Sequence, residues 1–319
     1  MPLFDPESGK ISISNHSLGY IVDCDTRAVL YSLGYRDQPF MEAPAKCGIG
    51  LHDGFAEYFC SENKQAAIGK FTSSYRKWSD TNVAQGSPYE YDNAVRIFSF
   101  WMDKNPLSKF PFTVIPELVE KGFEIPLLSD GSITFNGRPD AVVADRKHPE
   151  NIYIVDHKTV GYMKDEWLRG FEMDAQMSGY CYMAEQYGLN VKGVYINAIE
   201  IKKLSDATTA CPQHHVPRID CALKHVGYKV VPYKYNPELI DEWYKTAVSE
   251  AVKLRGLLDK MGVDKAGGIV YNLSHINRIR QQGRFRKNQC TNCGFFEFCK
   301  QGRTMQAADN FLIKAKEHK

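Results

Sequence analysis

The stretch that decides the fold is GRPDAVVADRKHPENIYIVDHK, residues 137–158. It holds two runs of apolar and β-branched residues, Asp140–Ala144 and Ile152–Val155, which are typical of strands. The second run leads into Asp156, His157 and Lys158. Because side chains alternate along a strand, Asp156 and Lys158 share one face and His157 points to the other. If the two strands pair, the carboxylate that opens the first run converges on the one that ends the second.

Two converging carboxylates favour a hard divalent cation such as Mg²⁺ or Mn²⁺. A lysine beside that metal can position or deprotonate an attacking water and offset charge on a phosphate. On its own, an Asp-x-Lys sequence is better explained as a solvated ion pair. Here Asp140 and Asp156 lie 16 residues apart on neighbouring predicted strands, which favours the metal-site interpretation. The pattern therefore predicts metal-dependent phosphodiester hydrolysis.

Pro139-Asp140 followed by Asp156-His157-Lys158 resembles the signature of the PD-(D/E)XK nucleases. Gln176 and Tyr180 match the Gln-x-x-x-Tyr motif of the RecB-like branch, and Gly50-Leu51-His52 matches its upstream histidine helix. The resemblance implies an α/β fold with a restriction-endonuclease-like core, in which a mixed central sheet is flanked by helices.

The same resemblance implies the roles of the site residues. Lys158 would be catalytic, and the metal would be held by His52, Asp140, Asp156 and the backbone carbonyl of His157. We predict a helix from about Glu172 to Tyr187. On it Gln176 and Tyr180 lie one turn apart, with Glu172 one turn earlier, and they can contact the scissile phosphate or its nucleotide.

The nine cysteines are an odd number for a disulfide framework, and their spacing favours a metal site. Cys290, Cys293 and Cys299 have two and five residues between them. In iron–sulfur members of the RecB-like branch, of the CRISPR-adaptation and AddB types, a first-helix cysteine joins three such residues around a 4Fe-4S cluster. Residues 14–24 are similar to that helix, which implies Cys24 rather than Cys47 as the fourth ligand. Asp25 stands where the family commonly has proline.

Sulfur ligands alone do not separate the metals, so Zn²⁺ is the alternative to the cluster. We interpret Cys47, Cys60 and Cys181 as buried thiols. A second group comprises Cys211, His214, His215, Cys221 and His225, whose types and spacing permit a zinc site. The nearby prolines and the lack of periodicity equally fit an irregular insertion, and we favour that simpler interpretation.

Two segments are candidates for nucleic-acid contacts. Upstream of the cysteine trio is a dense basic run, Arg278, Arg280, Arg284, Arg286 and Lys287, which suits phosphate contacts, although such runs are often solvated helix faces. Residues 61–115 are helical in pattern and rich in basic and aromatic side chains, and we predict that they arch over the site. Their aromatic residues include Tyr75, Trp78, Tyr89, Tyr91 and Trp101.

The chain of 319 residues carries a formal net charge of +2, so affinity for nucleic acid must come from local clusters. We predict one nuclease domain over residues 1–319, with a cluster-bearing subdomain made of 265–319 and 14–48. Further elements are a helix over Ser17–Leu33, a hairpin turn at Asn136-Gly137, and a long helix over Pro237–Met261. With no apolar run long enough to span a bilayer, we expect a soluble, cytoplasmic protein.

The leading hypothesis is a DNA exonuclease that acts on single-stranded ends with Mg²⁺ or Mn²⁺. A structure-selective endonuclease that trims flaps or CRISPR spacer precursors is the second. The third is a catalytically silent DNA-binding subunit, which the intact Asp140, Asp156 and Lys158 disfavour. A separate helicase or a CRISPR-adaptation protein would be a suitable partner, since this sequence carries no phosphate-binding P-loop.

Overall fold

The computed structural model describes residues 4–5, 8–36, 42–204, 208–260, 290 and 293–314. In chain order the strands are β1 (Ile11–Ile13), β2 (Tyr35–Arg36), β3 (Phe112–Val114), β4 (Phe123–Pro126), β5 (Ile133–Gly137), β6 (Ala141–Asp145), β7 (Ile152–Val160), β8 (Val191–Glu200), β9 (Tyr228–Lys234) and β10 (Ile313–Lys314). The helices are α1 (Asn15–Asp23), α2 (Asp25–Ser32), α3 (Ala43–Ser61), α4 (Lys64–Asn82), α5 (Tyr91–Lys104), α6 (Asp165–Arg169), α7 (Ala175–Gln186), α8 (Arg218–Lys224), α9 (Pro237–Lys260), α10 (Phe296–Lys300) and α11 (Met305–Phe311).

These elements form two compact units, each built from separated parts of the chain. One unit comprises residues 41–122 and 138–236, and we call it the sheet unit. The other comprises residues 1–40, 123–137 and 237–319, and we call it the terminal unit.

The sheet unit is built on a five-stranded sheet of order β3-β6-β7-β8-β9. Strands β7 and β8 are parallel, and the other neighbouring pairs are antiparallel. A parallel pair needs a crossover, and here α6 and α7 lie in the connection. The predicted α/β core, a mixed sheet flanked by helices, is confirmed.

Helices α3, α4 and α5 pack together, and α3 also lies against β7. A Cβ at Gly50 would lie 2.9 Å from Tyr75 Cβ, and one at Gly54 would lie 2.7 Å from Phe98 Cε1. Larger residues do not fit, so α3 is held closely against its neighbours. Phe55 and Trp101 are fully buried in the same core. This packing fixes the position of His52, which lies between the two glycines.

The terminal unit contains a three-stranded sheet of order β1-β5-β4, in which β1 and β5 are parallel. Strand β10 near the C-terminus pairs with β2 near the N-terminus. Arg303 Nη1 also donates to Thr26 Oγ1 over 3.3 Å. The cysteine-bearing segment near the C-terminus thus folds in the same unit as the N-terminal helices.

Three sequence-based boundaries are wrong. The helix predicted over residues 17–33 is broken at Cys24, whose extended backbone (φ −160°, ψ 121°) ends α1 and begins α2. Asn136-Gly137 is not a hairpin turn, because β5 continues through both residues and pairs with Glu124 and Phe123. Asp174 caps α7, so the preceding Glu172 lies in a short 3-10 segment.

The segment 61–115 contains α4, α5 and β3, and its largest aromatic side chains face inward. Tyr75 and Trp101 are fully buried, and Trp78, Tyr89 and Tyr91 are partly buried against the same core.

Among the described helices, none has the length and apolar character needed to cross a membrane. The basic run 278–287 lies outside the described residues.

Candidate metal centre

Asp140 lies immediately before β6 and connects three segments of the sheet unit. Its Oδ1 atom is 2.8 Å from His52 Nδ1 on α3, and its Oδ2 atom accepts a hydrogen bond from the backbone N–H of His157 on β7. The Asp140 side chain is buried, with a relative exposure of 7%. Three of the predicted site residues therefore meet, as expected if β6 and β7 pair.

Glu120 is a fourth member of this group, and it was not predicted from the sequence. One ligand-type atom each from His52, Glu120 and Asp140 lies within 4.8 Å of the other two. The backbone N–H of Glu120 donates to the carbonyl of Asp140 over 3.0 Å, and Arg138 Nε is 2.9 Å from Glu120 Oε2. Glu120 follows a 3-10 turn with a left-handed backbone (φ 51°), so no periodic pattern marks it.

Asp156 and Lys158 lie within β7, two residues apart, and not at its end as the sequence suggested. The two side chains share a face, and Lys158 Nζ is 2.6 Å from Asp156 Oδ2. Asp156 is only 1% exposed, whereas the lysine side chain keeps a quarter of its surface accessible. A buried carboxylate is thus paired with an ammonium group that solvent or substrate can reach.

A line of hydrogen bonds continues from Lys158 along α7. Lys158 Nζ donates to Gln176 Oε1 over 3.0 Å, and Gln176 Nε2 is 3.0 Å from Tyr180 Oη. Tyr180 Oη in turn donates to the carbonyl of Arg138 over 3.2 Å. Asp174 begins the helix, since its side chain accepts the backbone N–H of Gln176. The Gln-x-x-x-Tyr pair predicted from the sequence therefore shares a face beside the lysine.

His157 points to the opposite face of β7 and is packed in the core. Its ring stacks on Phe55 with a centroid distance of 4.2 Å and meets Phe59 edge-on at 4.9 Å. Asn197 Nδ2 lies 2.8 Å from His157 Nδ1. The imidazole is only 1% exposed. Any metal contact by His157 would consequently come from its backbone, as the predicted carbonyl role requires.

Burial and crowding of carboxylates dominate the electrostatics of this site. Burial and the charge of Asp140 raise the pKa of Glu120 to about 7. The same two causes raise the pKa of Asp156 to about 7, despite Lys158. Although burial opposes both shifts, the hydrogen bond between His52 and Asp140 raises the pKa of His52 and lowers that of Asp140. The site thus holds more negative charge than its cationic partners offset.

These residues fit a divalent metal ion. Carboxylate oxygens and an imidazole nitrogen converge, and the raised pKa values of Glu120 and Asp156 reflect negative charge that a cation would compensate. Oxygen-rich donors of this kind suit Mg²⁺ or Mn²⁺. His52, Asp140, Asp156 and Glu120 are the side chains available to hold it.

The cysteines predicted to hold the second metal group belong to the terminal unit. Cys24 separates α1 from α2, and Cys299 lies in α10. Cys24, Cys290, Cys293 and Cys299 are all partly exposed. Three other cysteines were interpreted as buried thiols. Cys47 and Cys181 are buried, whereas Cys60 is exposed, so the prediction for Cys60 was wrong.

No protein-family model matches the chain, and a search of curated proteins finds no match. Solved structures do include similar chains. One, described as "Putative exonuclease" from Eubacterium rectale, is 11% identical, with the similarity covering 79% of this chain and 84% of that chain at a TM-score of 0.44. None of these comparisons assigns the chain to a family.

Proposed function

We propose that this protein is a metal-dependent nuclease of the PD-(D/E)XK type that hydrolyses phosphodiester bonds in DNA. The observation that carries the proposal is the convergence of Asp140, just before β6, with Asp156 and Lys158 of the neighbouring β7, together with the contact between His52 and Asp140. An isolated surface ion pair would not need two buried carboxylates.

A bound metal would lower the pKa of a water and polarise the phosphate. Asp140 and Asp156 would hold that ion, together with His52 and the backbone carbonyl of His157, and Glu120 is an additional candidate. Lys158 Nζ positions the attacking water and stabilises charge on the phosphate. It is suited to this role because it is anchored by Asp156 and remains partly accessible.

Gln176 and Tyr180 support this lysine and, in the proposal, contact the scissile phosphate. The amide oxygen of Gln176 accepts from Lys158, which directs its amide nitrogen toward Tyr180. Burial raises the pKa of Tyr180, so the hydroxyl stays protonated and can donate to an anionic oxygen. Both residues would orient the phosphate without exchanging protons with it.

The proposed substrate is single-stranded DNA, and the strand would enter the site by a free end. Asp140 and Asp156 are almost fully buried, so a phosphate must enter a recess to reach the metal. A flexible single strand can do this more readily than a stiff duplex. The basic run Arg278, Arg280, Arg284, Arg286 and Lys287 would supply backbone attraction. A helicase or a CRISPR-adaptation protein remains the suggested partner.

We further propose that Cys24, Cys290, Cys293 and Cys299 hold a 4Fe-4S cluster, with Zn²⁺ as the alternative. The hydrogen bond between Arg303 and Thr26 supports this, since it joins the segments that carry Cys299 and Cys24. Four thiolates from both ends of the chain would fasten the terminal unit. The role is structural, with no redox step in hydrolysis.

The deciding experiment is digestion of end-labelled linear and covalently closed DNA, single- and double-stranded, with Mg²⁺, Mn²⁺ or chelator. The proposal expects metal-dependent release of nucleotides from linear single strands, lost in Asp156→Asn. Cleavage of closed circles would indicate the endonuclease alternative. Metal-independent DNA binding without cleavage would indicate the silent subunit.

A further inference from the structure

The connection between β8 and β9 brings sulfur and nitrogen ligands together in a group that shares no residue with the metal centre. Cys211 Sγ is 3.7 Å from His214 Nδ1, and the same nitrogen is 3.1 Å from Cys221 Sγ. His225 Nε2 lies 3.3 Å from Cys221 Sγ. One ligand-type atom each from Cys211, His214 and Cys221 lies within 4.8 Å of the other two.

The first pair of ligands lies on a tight turn. The backbone N–H of Cys211 donates to the carbonyl of Val216 over 2.6 Å, and that of His215 donates to the carbonyl of Cys211 over 2.8 Å. This turn brings the Cys211 and His214 side chains close together.

The second pair lies on a short helix that is fastened to the core. Cys221 is in α8 and His225 follows one turn later, so both side chains lie on one face. Cys221 is only 4% exposed, and the neighbouring Leu223 and Val226 pack against the hydrophobic core of the sheet unit. The turn therefore meets a fixed partner.

The ligand spacing matches tetrahedral zinc. With Zn–S bonds of about 2.3 Å and Zn–N bonds of about 2.05 Å, sulfur and nitrogen ligands lie about 3.6 Å apart. The three observed sulfur-to-nitrogen distances are 3.7, 3.1 and 3.3 Å. Each is within about half an ångström of that value. Cys211, His214 and Cys221 already converge, whereas His225 contacts Cys221 and would complete the set by turning toward the other two.

We propose that Cys211, His214, Cys221 and His225 bind one Zn²⁺ ion in a Cys₂His₂ site that stabilises the β8–β9 connection. The sequence alone favoured an irregular insertion, because prolines interrupt any periodicity. The structure adds the observation that the turn carries Cys211 and His214 and α8 carries Cys221, with one ligand atom of each within 4.8 Å of the other two, and that His225 lies beside Cys221. Four protein ligands leave no open position, so the site is structural and takes no part in hydrolysis.

The test is the zinc content of the full-length protein, purified under reducing conditions and measured by mass spectrometry of the metal. Wild type should contain about one zinc attributable to this site. Cys211→Ser, Cys221→Ser and His214→Ala should each lose that zinc, with no change in iron. The matched control is His215→Asn, since His215 is adjacent but exposed and has a left-handed backbone (φ 54°) that asparagine tolerates. Equal zinc in wild type and all three ligand variants would overturn the proposal.

A spectroscopic readout covers variants that fold poorly. Co²⁺ should replace Zn²⁺ and give the visible absorption of a tetrahedral ion, with thiolate charge-transfer bands. In His214→Cys, which keeps four ligands but has three sulfurs, the charge-transfer intensity should rise by about half, in proportion to thiolate number. Unchanged bands in this variant would count against the site. The zinc proposal would also be overturned if Cys211 and Cys221 formed a disulfide and the protein bound no zinc after that disulfide was reduced.

Discussion

The ammonium group of Lys158 is hydrogen bonded to the side-chain carbonyl of Gln176 over 3.0 Å. Lys158 lies on β7 and Gln176 on α7, so this bond joins the two elements. The lysine is also held by Asp156 on its own strand. A lysine with a single partner could rotate away from the metal, whereas one held from two sides keeps its Nζ atom in place. Gln176 is therefore a positioning residue for Lys158 as well as a candidate phosphate contact.

The first prediction compares these two residues. Lys158→Ala should lower kcat by about 100-fold or more, the range for loss of a group that acts in proton transfer. Gln176→Ala should lower it by about 10- to 100-fold, since the lysine stays but loses its fixed position. Single-turnover cleavage of a labelled strand measures both effects. Lys192→Ala is the matched control, an exposed lysine on the neighbouring strand β8. If Gln176→Ala cleaved at the wild-type rate, the positioning role would be wrong.

The second prediction concerns the carboxylates. Asp140→Asn and Asp156→Asn should abolish cleavage while DNA binding persists, because each removes charge from the metal site without altering basic surfaces. Titration calorimetry with Mn²⁺ should show weaker binding in both. Asp145→Asn is the control, since Asp145 lies at the far end of β6 and accepts backbone N–H groups of Lys147 and His148. Wild-type activity in either site variant would refute the assignment.

Glu120→Gln should weaken the Mn²⁺ affinity measured in the same titrations, if Glu120 is a ligand.

Glu120 could not be predicted from the sequence, whereas Asp156 and Lys158 could. The period of two along a strand was enough to place Asp156 and Lys158 on one face. Glu120 comes from a loop, and it meets Asp140 only through contacts that no local pattern encodes.

Two other errors have similar causes. Cys24 interrupts an apolar pattern that reads as continuous, because its extended backbone ends one helix and begins the next. Asn136-Gly137 is a common hairpin sequence, yet pairing with Glu124 and Phe123 of β4 keeps both residues in a strand. In each case tertiary contacts outweigh the local preference.

The third prediction concerns folding stability and pH. Burial lowers the pKa of His157 to about 3, whereas an unfolded histidine titrates near about 6.5. Between these values the unfolded chain binds the extra proton, so the free energy of unfolding falls as pH falls from about 6.5 toward about 3. The loss should reach about 2 kcal/mol by about pH 5. His157→Phe should remove this dependence, since phenylalanine keeps the ring stacked on Phe55 and does not titrate.

Urea unfolding of metal-free protein at several pH values measures this effect. Burial and Asp140 raise the pKa of Asp156, so its contribution has the opposite sign: the folded state binds the extra proton, and stability falls as pH rises toward about 7. That contribution is common to wild type and His157→Phe and cancels in their difference. A difference independent of pH would show that His157 titrates normally.

The fourth prediction concerns the cysteines of the terminal unit. Protein purified without oxygen should be brown and contain about four irons and four sulfides per chain. Cys24→Ser should lower iron content and the free energy of unfolding together, because the cluster would connect the two ends of the chain. Cys60→Ser is the control, since Cys60 is exposed and lies in the sheet unit. Colourless protein that loses zinc instead in Cys24→Ser would replace the cluster with Zn²⁺ and leave the nuclease proposal intact.

The last prediction concerns how substrate reaches the metal. If residues 61–115 arch over the metal centre, as predicted from the sequence, a strand can reach the ion only by threading a free end. Linear single-stranded DNA should therefore be degraded while closed single-stranded circles resist, and a bulky protein on the entering end should block the reaction. Because backbone attraction is electrostatic, activity at low substrate concentration should fall steeply with salt, and neutralising Arg284 and Arg286 should raise KM more than it lowers kcat. Cutting a single-stranded circle once makes it linear and restores free ends. If this linearised strand remained as resistant as the closed circle, entry by threading would be refuted.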